Sequence, residues 1–262
     1  MSHGPGGGPG GPVIPSYQVT SRCASQNRLF CWDWFTKNWH PVFLPALLQH
    51  IEIMFIAVAV GFALCLGAAL ITYRRRGWDI PFTALGGFFY AIPAIAAFEI
   101  LVPVTGLGTL TVEIVLVSYT LLVLYRSILT GLRGVDPDVL ESARGMGLTR
   151  AQLLRKVELP LAMPSIIAGL RVATVLTVSL ATIAAYVIPA GLGDPIFFAM
   201  GDGDFNTELV AAGVLVVLLA LLMDRVFVIA QHLCAPWSVA GRGSVLRAVK
   251  VRHRLAERQV SG

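Results

Sequence analysis

A carboxylate inside an apolar run is the most reactive group this sequence offers. Glu99 lies in the run 81–103. An ionisable side chain there costs at least a few kcal/mol to bury, so it faces a wet cavity or reaches an interface. In the first case it lines a pathway and attracts a cationic group. In the second it sits near the end of its span, since Pro103 and Gly106 follow closely. Upstream, Phe88, Phe89 and Tyr90 could hold a quaternary ammonium by cation–π contact, against the plainer reading of packing. Pro93 either opens a path by kinking its helix or is merely tolerated there. Tyr90, Pro93 and Glu99 are therefore the pathway candidates. Arg171, Asp224 and Arg225 read as side chains reaching the inner interface. No phosphate-cradling G-x-x-x-x-G-K-[ST], catalytic triad or metal-ligand spacing is present, so we expect no catalytic residues, no metal site, no cofactor and no enzyme.

A second chemical feature is polar. Residues 134–160 interrupt the apolar pattern. Asp136 can cap a helix that starts at Pro137, and Asp138 adds favourable charge to its first turn. Gly147 suits a left-handed turn that ends this helix. Thr149 and Gln152 then form a capping box for a second short helix through Leu153, Leu154 and Val157, which Pro160 ends or passes on to the next element. The result is an amphipathic helix–turn–helix too polar for lipid. It needs a protein partner or a headgroup surface over its apolar side.

The elements that carry these features follow from composition. The chain has 262 residues, 56% hydrophobic and only 13% charged, with a mean hydropathy of +0.74. Half the charge of an ordinary soluble domain cannot coat a globule of this size, which excludes a cytosolic enzyme and a disordered chain. The apolar runs give five spans, at about 43–73, 81–103, 107–130, 162–189 and 207–232, with Glu113 near the start of the third. The uncharged centre of the first, Ile53 to Ile71, holds 19 residues, enough to cross a hydrocarbon core. Residues 1–19 are Gly- and Pro-rich and read as a disordered tail without a signal peptide; Trp32, Trp34 and Trp39 read as an interfacial belt. The glycines at 86–87 and at 191 and 193 suit close packing or turns.

Basic residues set the orientation. With Arg74–Arg76 inside, the N-terminus is outside and the C-terminus inside, and only Arg22, Arg28 and Lys37 of the 20 basic residues fall outside. The net charge of +5 is thereby explained by membrane orientation rather than by nucleic acid. Cys23 and Cys31 face the oxidising side; because their eight-residue spacing fixes no geometry, two free thiols are favoured over a disulfide.

The polar segment also carries a resemblance. Glu141, Ser142, Ala143, three spacers, Gly147, nine spacers, Val157, Glu158 as a free position, then Leu159 and Pro160 resemble the cytoplasmic signature loop of ABC-importer permeases. That pattern is Glu-Ala-Ala, three residues, Gly, nine residues, Ile, any residue, Leu-Pro; here Ser replaces the middle Ala and Val the Ile. The resemblance implies that these seven residues form a coupling loop seated in a cleft of a separate ATPase subunit, which uses the ATP. Leu170–Thr174, Ala181–Phe197 and Tyr90–Ala96 are similar to the osmoprotectant branch, permeases for glycine betaine, choline, carnitine and proline-type solutes. A Val-Ile-Pro-Ala run stands at 187–190 where that branch has glycines, and Glu99 is unexpected there.

The reading is an all-α integral membrane protein with about five transmembrane helices. It divides into an N-terminal extracytoplasmic segment (1–41), a permease domain (42–233) and a basic cytoplasmic tail (234–262). The resemblance implies a bacterial plasma (inner) membrane, a second permease copy or homologue, ATPase subunits and an extracytoplasmic substrate-binding protein. The alternatives are an importer permease for another small solute, such as methionine or phosphonate, or a stand-alone secondary transporter.

Overall fold

The computed structural model describes residues 23, 26–75, 77–201 and 205–236. The Gly- and Pro-rich start and most of the basic tail lie outside the described residues. Among the described residues all regular structure is helical.

Helix α1 (Trp32–Asn38) passes through a wide π-turn (Trp39–Phe43) into α2 (Leu44–Thr72). Pro41 explains the wide turn. Proline offers no N–H and crowds the carbonyl four residues back, and here Leu44 N–H bonds Trp39 O, five residues back. Helicity therefore starts earlier than the expected first span. The early part is held by Trp34 and Phe43, which are buried against Ala211 and Ala212.

The second expected span is two helices, α3 (Asp79–Ala91) and α4 (Ala94–Thr105), bent by 96°. The cause is local. Ile92 precedes a proline and is driven to an extended conformation (φ −70°, ψ 131°). Its carbonyl then accepts the Tyr119 hydroxyl, and α4 begins with Ala97 N–H bonding Pro93 O at 3.0 Å. Pro93 thus breaks the helix rather than kinking it.

Helix α5 (Thr109–Arg133) is the central post, packed against α2, α3, α4 and α8 (Leu159–Ala184). The bent pair runs its full length. At one end Arg133 Nη2 donates to Asp79 Oδ1 at 3.0 Å; at the other the Thr105 and Thr111 hydroxyls meet at 2.6 Å. Trp32–Thr72, Thr109–Arg133, Arg150–Ala184 and Asn206–Cys234 are each long and apolar enough to cross a membrane, and the bent pair makes up to five such passages. Between α5 and α8 lie α6 (Pro137–Gly145), α7 (Arg150–Leu153) and a second π-turn (Leu154–Glu158); after α8 come α9 (Gly193–Gly201) and α10 (Asn206–Cys234).

Close backbone approach holds α8 to α5. A Cβ on Gly169 would overlap the Ser127 side chain, and Ser165 Oγ donates to Ser127 O at 2.8 Å. Gly169→Ala should therefore push the two helices apart. We expect a cost of about 1–3 kcal/mol, the usual penalty for overpacking, read as a lower midpoint of thermal unfolding in detergent. An unchanged midpoint would show that the interface yields without strain.

The structure adds a partner to one expectation and corrects another. Arg171, read as reaching the inner interface, is paired. Its Nε and Nη2 donate to Asp224 Oδ1 of α10 at 2.9 and 2.7 Å. Pairing within an apolar slab is the less costly arrangement for both charges. And Cys23 and Cys31 are disulfide-bonded, with Cα atoms 5.8 Å apart. The closed loop brings Asn27 against Asn206, whose backbone N–H bonds Asn27 Oδ1 at 2.9 Å, and Arg28 O against the Thr207 hydroxyl at 3.3 Å. Contacts with α10, rather than the spacing, set that geometry.

Candidate functional site

The polar loop folds on itself much as its residues dictate. The Asp136 carboxylate accepts from Asp138 N–H at 2.9 Å, with Pro137 in the first turn of α6. The helix closes with Leu148 N–H on Ala143 O at 3.4 Å and Gly147 at φ +81°. Thr149 and Gln152 make the reciprocal capping box, at 2.8 and 3.4 Å. One expectation changes. The second short helix is not a separate element: it continues through the π-turn into α8, as one run from Arg150 to Ala184. Leu159 N–H reaches back five residues to Leu154 O, and this wide turn admits Pro160 without a break.

Of the seven residues of the loop signature, Glu141, Ser142 and Gly147 are exposed, Ala143 is buried, and Val157, Leu159 and Pro160 are half-buried at the head of α8. Met146, 75% exposed, stands beside Gly147 at the tip. A small crown of polar and apolar atoms is thus held out on a braced base.

The brace is a group the sequence reading treated as a free position. The Glu158 side chain is only 4% exposed and takes the Tyr73 hydroxyl at 2.7 Å and Arg74 Nη2 at 3.2 Å. Burial first, then the nearby Glu158 carboxylate, push the Tyr73 hydroxyl up to about 12, so it stays a donor at any physiological pH. Arg133 Nε donates to Tyr73 O at 3.1 Å while its Nη2 holds Asp79. One network therefore ties the ends of α2, α3 and α5 to the turn before α8. Behind the crown this network borders a cleft of about 1040 Å³. Only the placement of Tyr73–Arg74 against a residue 84 positions away gives Glu158 this role.

The pathway candidates are less concentrated. Tyr90 leans on Tyr119, ring centroids 5.9 Å apart, and is half exposed; Phe88 is exposed. As near neighbours on one helix, Phe88, Phe89 and Tyr90 do not face a common centre. Pro93 is exposed at the break, and Glu99 lies on the exposed side of α4, next to buried Phe98. Glu113, noted in the sequence only for its position, has a buried Oε2 without a hydrogen-bond partner. Opposite the crown, His50 is fully buried: its Nδ1 accepts Leu192 N–H at 3.2 Å and its Nε2 meets Val178 O at 3.2 Å. With Gln49 Oε1 on Gly191 N–H at 2.9 Å, this fixes the loop after α8, where Gly191 takes φ +59°. No periodic or compositional signal marks a histidine that meets its partners 128 and 142 residues away.

A bundle of apolar passages that presents one braced polar knuckle is the architecture of a helical membrane protein. Solved structures share the fold. A chain of the MetNI methionine ABC transporter in an inward-facing conformation superposes with a TM-score of 0.69 over 76% of this chain and 98% of its own, at 19% identity. A chain of an amino acid ABC transporter with histidines gives 0.63 over 75% and 96%, at 17% identity. The protein belongs to the family of binding-protein-dependent transport system inner membrane components, which matches residues 59–233. Among its relatives, the choline transport system permease protein OpuBB of Bacillus subtilis (strain 168) is 32% identical, covering 72% of this chain and 86% of that one. The glycine betaine/carnitine/choline transport system permease protein OpuCB of the same organism is 32% identical, covering 75% and 90%. The carnitine transport permease protein OpuCB of Listeria monocytogenes is 34% identical, covering 72% and 86%.

Proposed function

We propose that this inner-membrane permease imports a small compatible solute with a quaternary ammonium or similar cationic headgroup, of the glycine betaine, choline or carnitine kind, driven by ATP hydrolysed on separate subunits. The observation that carries the reading is the family match together with relatives at 32–34% identity, over most of both chains, that are permeases for such solutes. The chain itself needs no cofactor. The crown of Glu141, Ser142, Met146 and Gly147 docks into the ATPase, and the network around Glu158 passes its movement to α2, α5 and α8. A second permease copy or homologue completes the pathway, and an extracytoplasmic binding protein delivers the solute. ATP-driven closure of the ATPases then rocks the crossings between outward- and inward-open states.

Glu99 supplies a carboxylate on that pathway, toward the outer end. Reconstituted with its ATPase and binding protein, the transporter should take up radiolabelled choline or glycine betaine only with ATP. A carboxylate holds a monovalent cation at contact in water by about 1 kcal/mol, roughly a fivefold effect. Glu99→Gln should lower uptake of a cationic solute by that order and leave basal ATPase activity alone. Uptake without ATP would remove the importer reading, and identical kinetics in the variant would remove Glu99 from the pathway.

The orientation that serves this function has the crown inside and the disulfide-closed loop outside. Single cysteines at 150 and 200, in a background without Cys23, Cys31, Cys65 and Cys234, separate the two faces. In intact cells an impermeant maleimide should label position 200 and spare 150. Labelling at 150 would reverse the topology.

A further inference from the structure

We propose that the cleft behind the crown is a binding site for a phosphate group, and that an anionic phospholipid headgroup is the source its position favours. Its walls carry Arg74, Arg133, Arg144 and Arg150, drawn from the ends of α2 and α5, from α6 and from the start of α7. Its floor is apolar, with Leu132, Leu140 and Leu153 among the residues that line it. The charges do not cancel. Arg74 is paired with Glu158 and Arg133 with Asp79, whereas Arg144 and Arg150 have no ion pair among the described residues. Four guanidiniums line the cleft with Glu158 as the one lining carboxylate, so basic groups are in excess there. A guanidinium is a planar fork of donors that matches phosphate oxygens bidentately and is weakly hydrated, so clustered arginines select phosphate chemistry over simple anions.

Depth favours a lipid. The cleft lies at the ends of the apolar helices α2 and α5, where Tyr73 lines it; Trp78, five residues further on, is covered by Arg75 at 5.1 Å. Aromatic and basic side chains at such a level mark the headgroup region. An apolar floor suits the glycerol end of a phospholipid better than a free anion. The volume of about 1040 Å³ leaves room for a whole headgroup. The exposed crown residues Glu141, Ser142 and Met146 do not line the cleft, which leaves it open to a ligand while the crown faces a protein. A phosphate held there would bridge the loop arginines, Arg144 and Arg150, to those of the crossings, Arg74 and Arg133. It would stiffen the joint through which force passes.

The test uses the permease assembled with its ATPase, in nanodiscs of phosphatidylcholine alone or mixed with phosphatidylglycerol. Native mass spectrometry counts retained phosphatidylglycerol, and thermal unfolding in phosphatidylcholine discs reads the effect of added inorganic phosphate. The protein should retain phosphatidylglycerol, and the double variant Arg144→Gln/Arg150→Gln should bind it about tenfold more weakly, the loss of about 1.4 kcal/mol. Arg155→Gln, an exposed change outside the cleft, should bind as the unaltered protein does. Both cleft arginines are exposed and without an ion pair, so the double variant should fold. Inorganic phosphate that raises the unfolding temperature of the protein but not of the double variant would uphold the phosphate site and assign it to the free anion instead of the lipid. Equal retention of phosphatidylglycerol by protein and double variant, with no response to phosphate, would overturn the proposal.

Discussion

Gly147→Asp and Glu141→Lys should each abolish most uptake while leaving a folded, membrane-inserted protein. Gly147 turns the chain at φ +81° between α6 and α7, and no atom lies near a Cβ built there. The cost of a side chain is therefore conformational, about 1 kcal/mol, too little to unfold a bundle packed around α5. Its position is what makes it costly. Gly147 and Glu141 are exposed on the crown, and an added or reversed charge at a docking surface can cost several kcal/mol. A loss of 2 kcal/mol corresponds to about a thirtyfold drop in coupled transport. Co-purification with the ATPase measures docking, and uptake in proteoliposomes measures coupling. Full transport by both variants would mean that this loop does not couple.

The second large effect is an asymmetry. Arg74→Met should destabilise the protein more than Glu158→Gln, although both cut the same ion pair. The Glu158 side chain is 4% exposed and the Arg74 side chain 38%. Without Arg74 the carboxylate stays buried with the Tyr73 hydroxyl as its remaining partner, a penalty of roughly 2–3 kcal/mol. Without the carboxylate charge, Arg74 turns to water, and Tyr73 can still donate to the Gln amide oxygen, so about 1 kcal/mol is lost. The double variant should cost less than the two single effects together, because the partners are coupled. Thermal unfolding of the detergent-solubilised variants reads all three. Equal single effects would mean that the pair is solvated and does not brace the loop.

Much of the fold was legible because its signals are local. A membrane passage is a continuous apolar run, since lipid satisfies no backbone group and each passage must bond within itself. Caps were legible for the same reason: Asp136 with Asp138 and Thr149 with Gln152 are bonds between residues two and three apart. Gly147 as a left-handed turn belongs here too. Pro93 was legible as a disturbance but not as a 96° break. The difference is made by Tyr119, a residue of α5 that satisfies the carbonyl freed at Ile92. Pro160 could equally end one helix or start the next, and in the structure a π-turn, with Leu159 N–H on Leu154 O, carries the chain through it into α8.

Composition, period and charge in this chain determined by themselves that it is a helical membrane protein, roughly where it crosses, and that a capped polar loop stands between the third and fourth passages. The tertiary structure alone decided which polar side chains and cysteines are partners. Arg171 with Asp224, Glu158 with Arg74, His50 with Leu192 and Val178, and Cys23 with Cys31 are meetings whose register is set by how helices pack. An ionisable residue in an apolar run announces that it needs a partner, because leaving it unpaired in a low dielectric is costly. Which residue answers depends on helix rotation, on close approaches such as Gly169 on Ser127, and on bends whose size is fixed by neighbours. Those are properties of the packed bundle, and no single run of the sequence contains them.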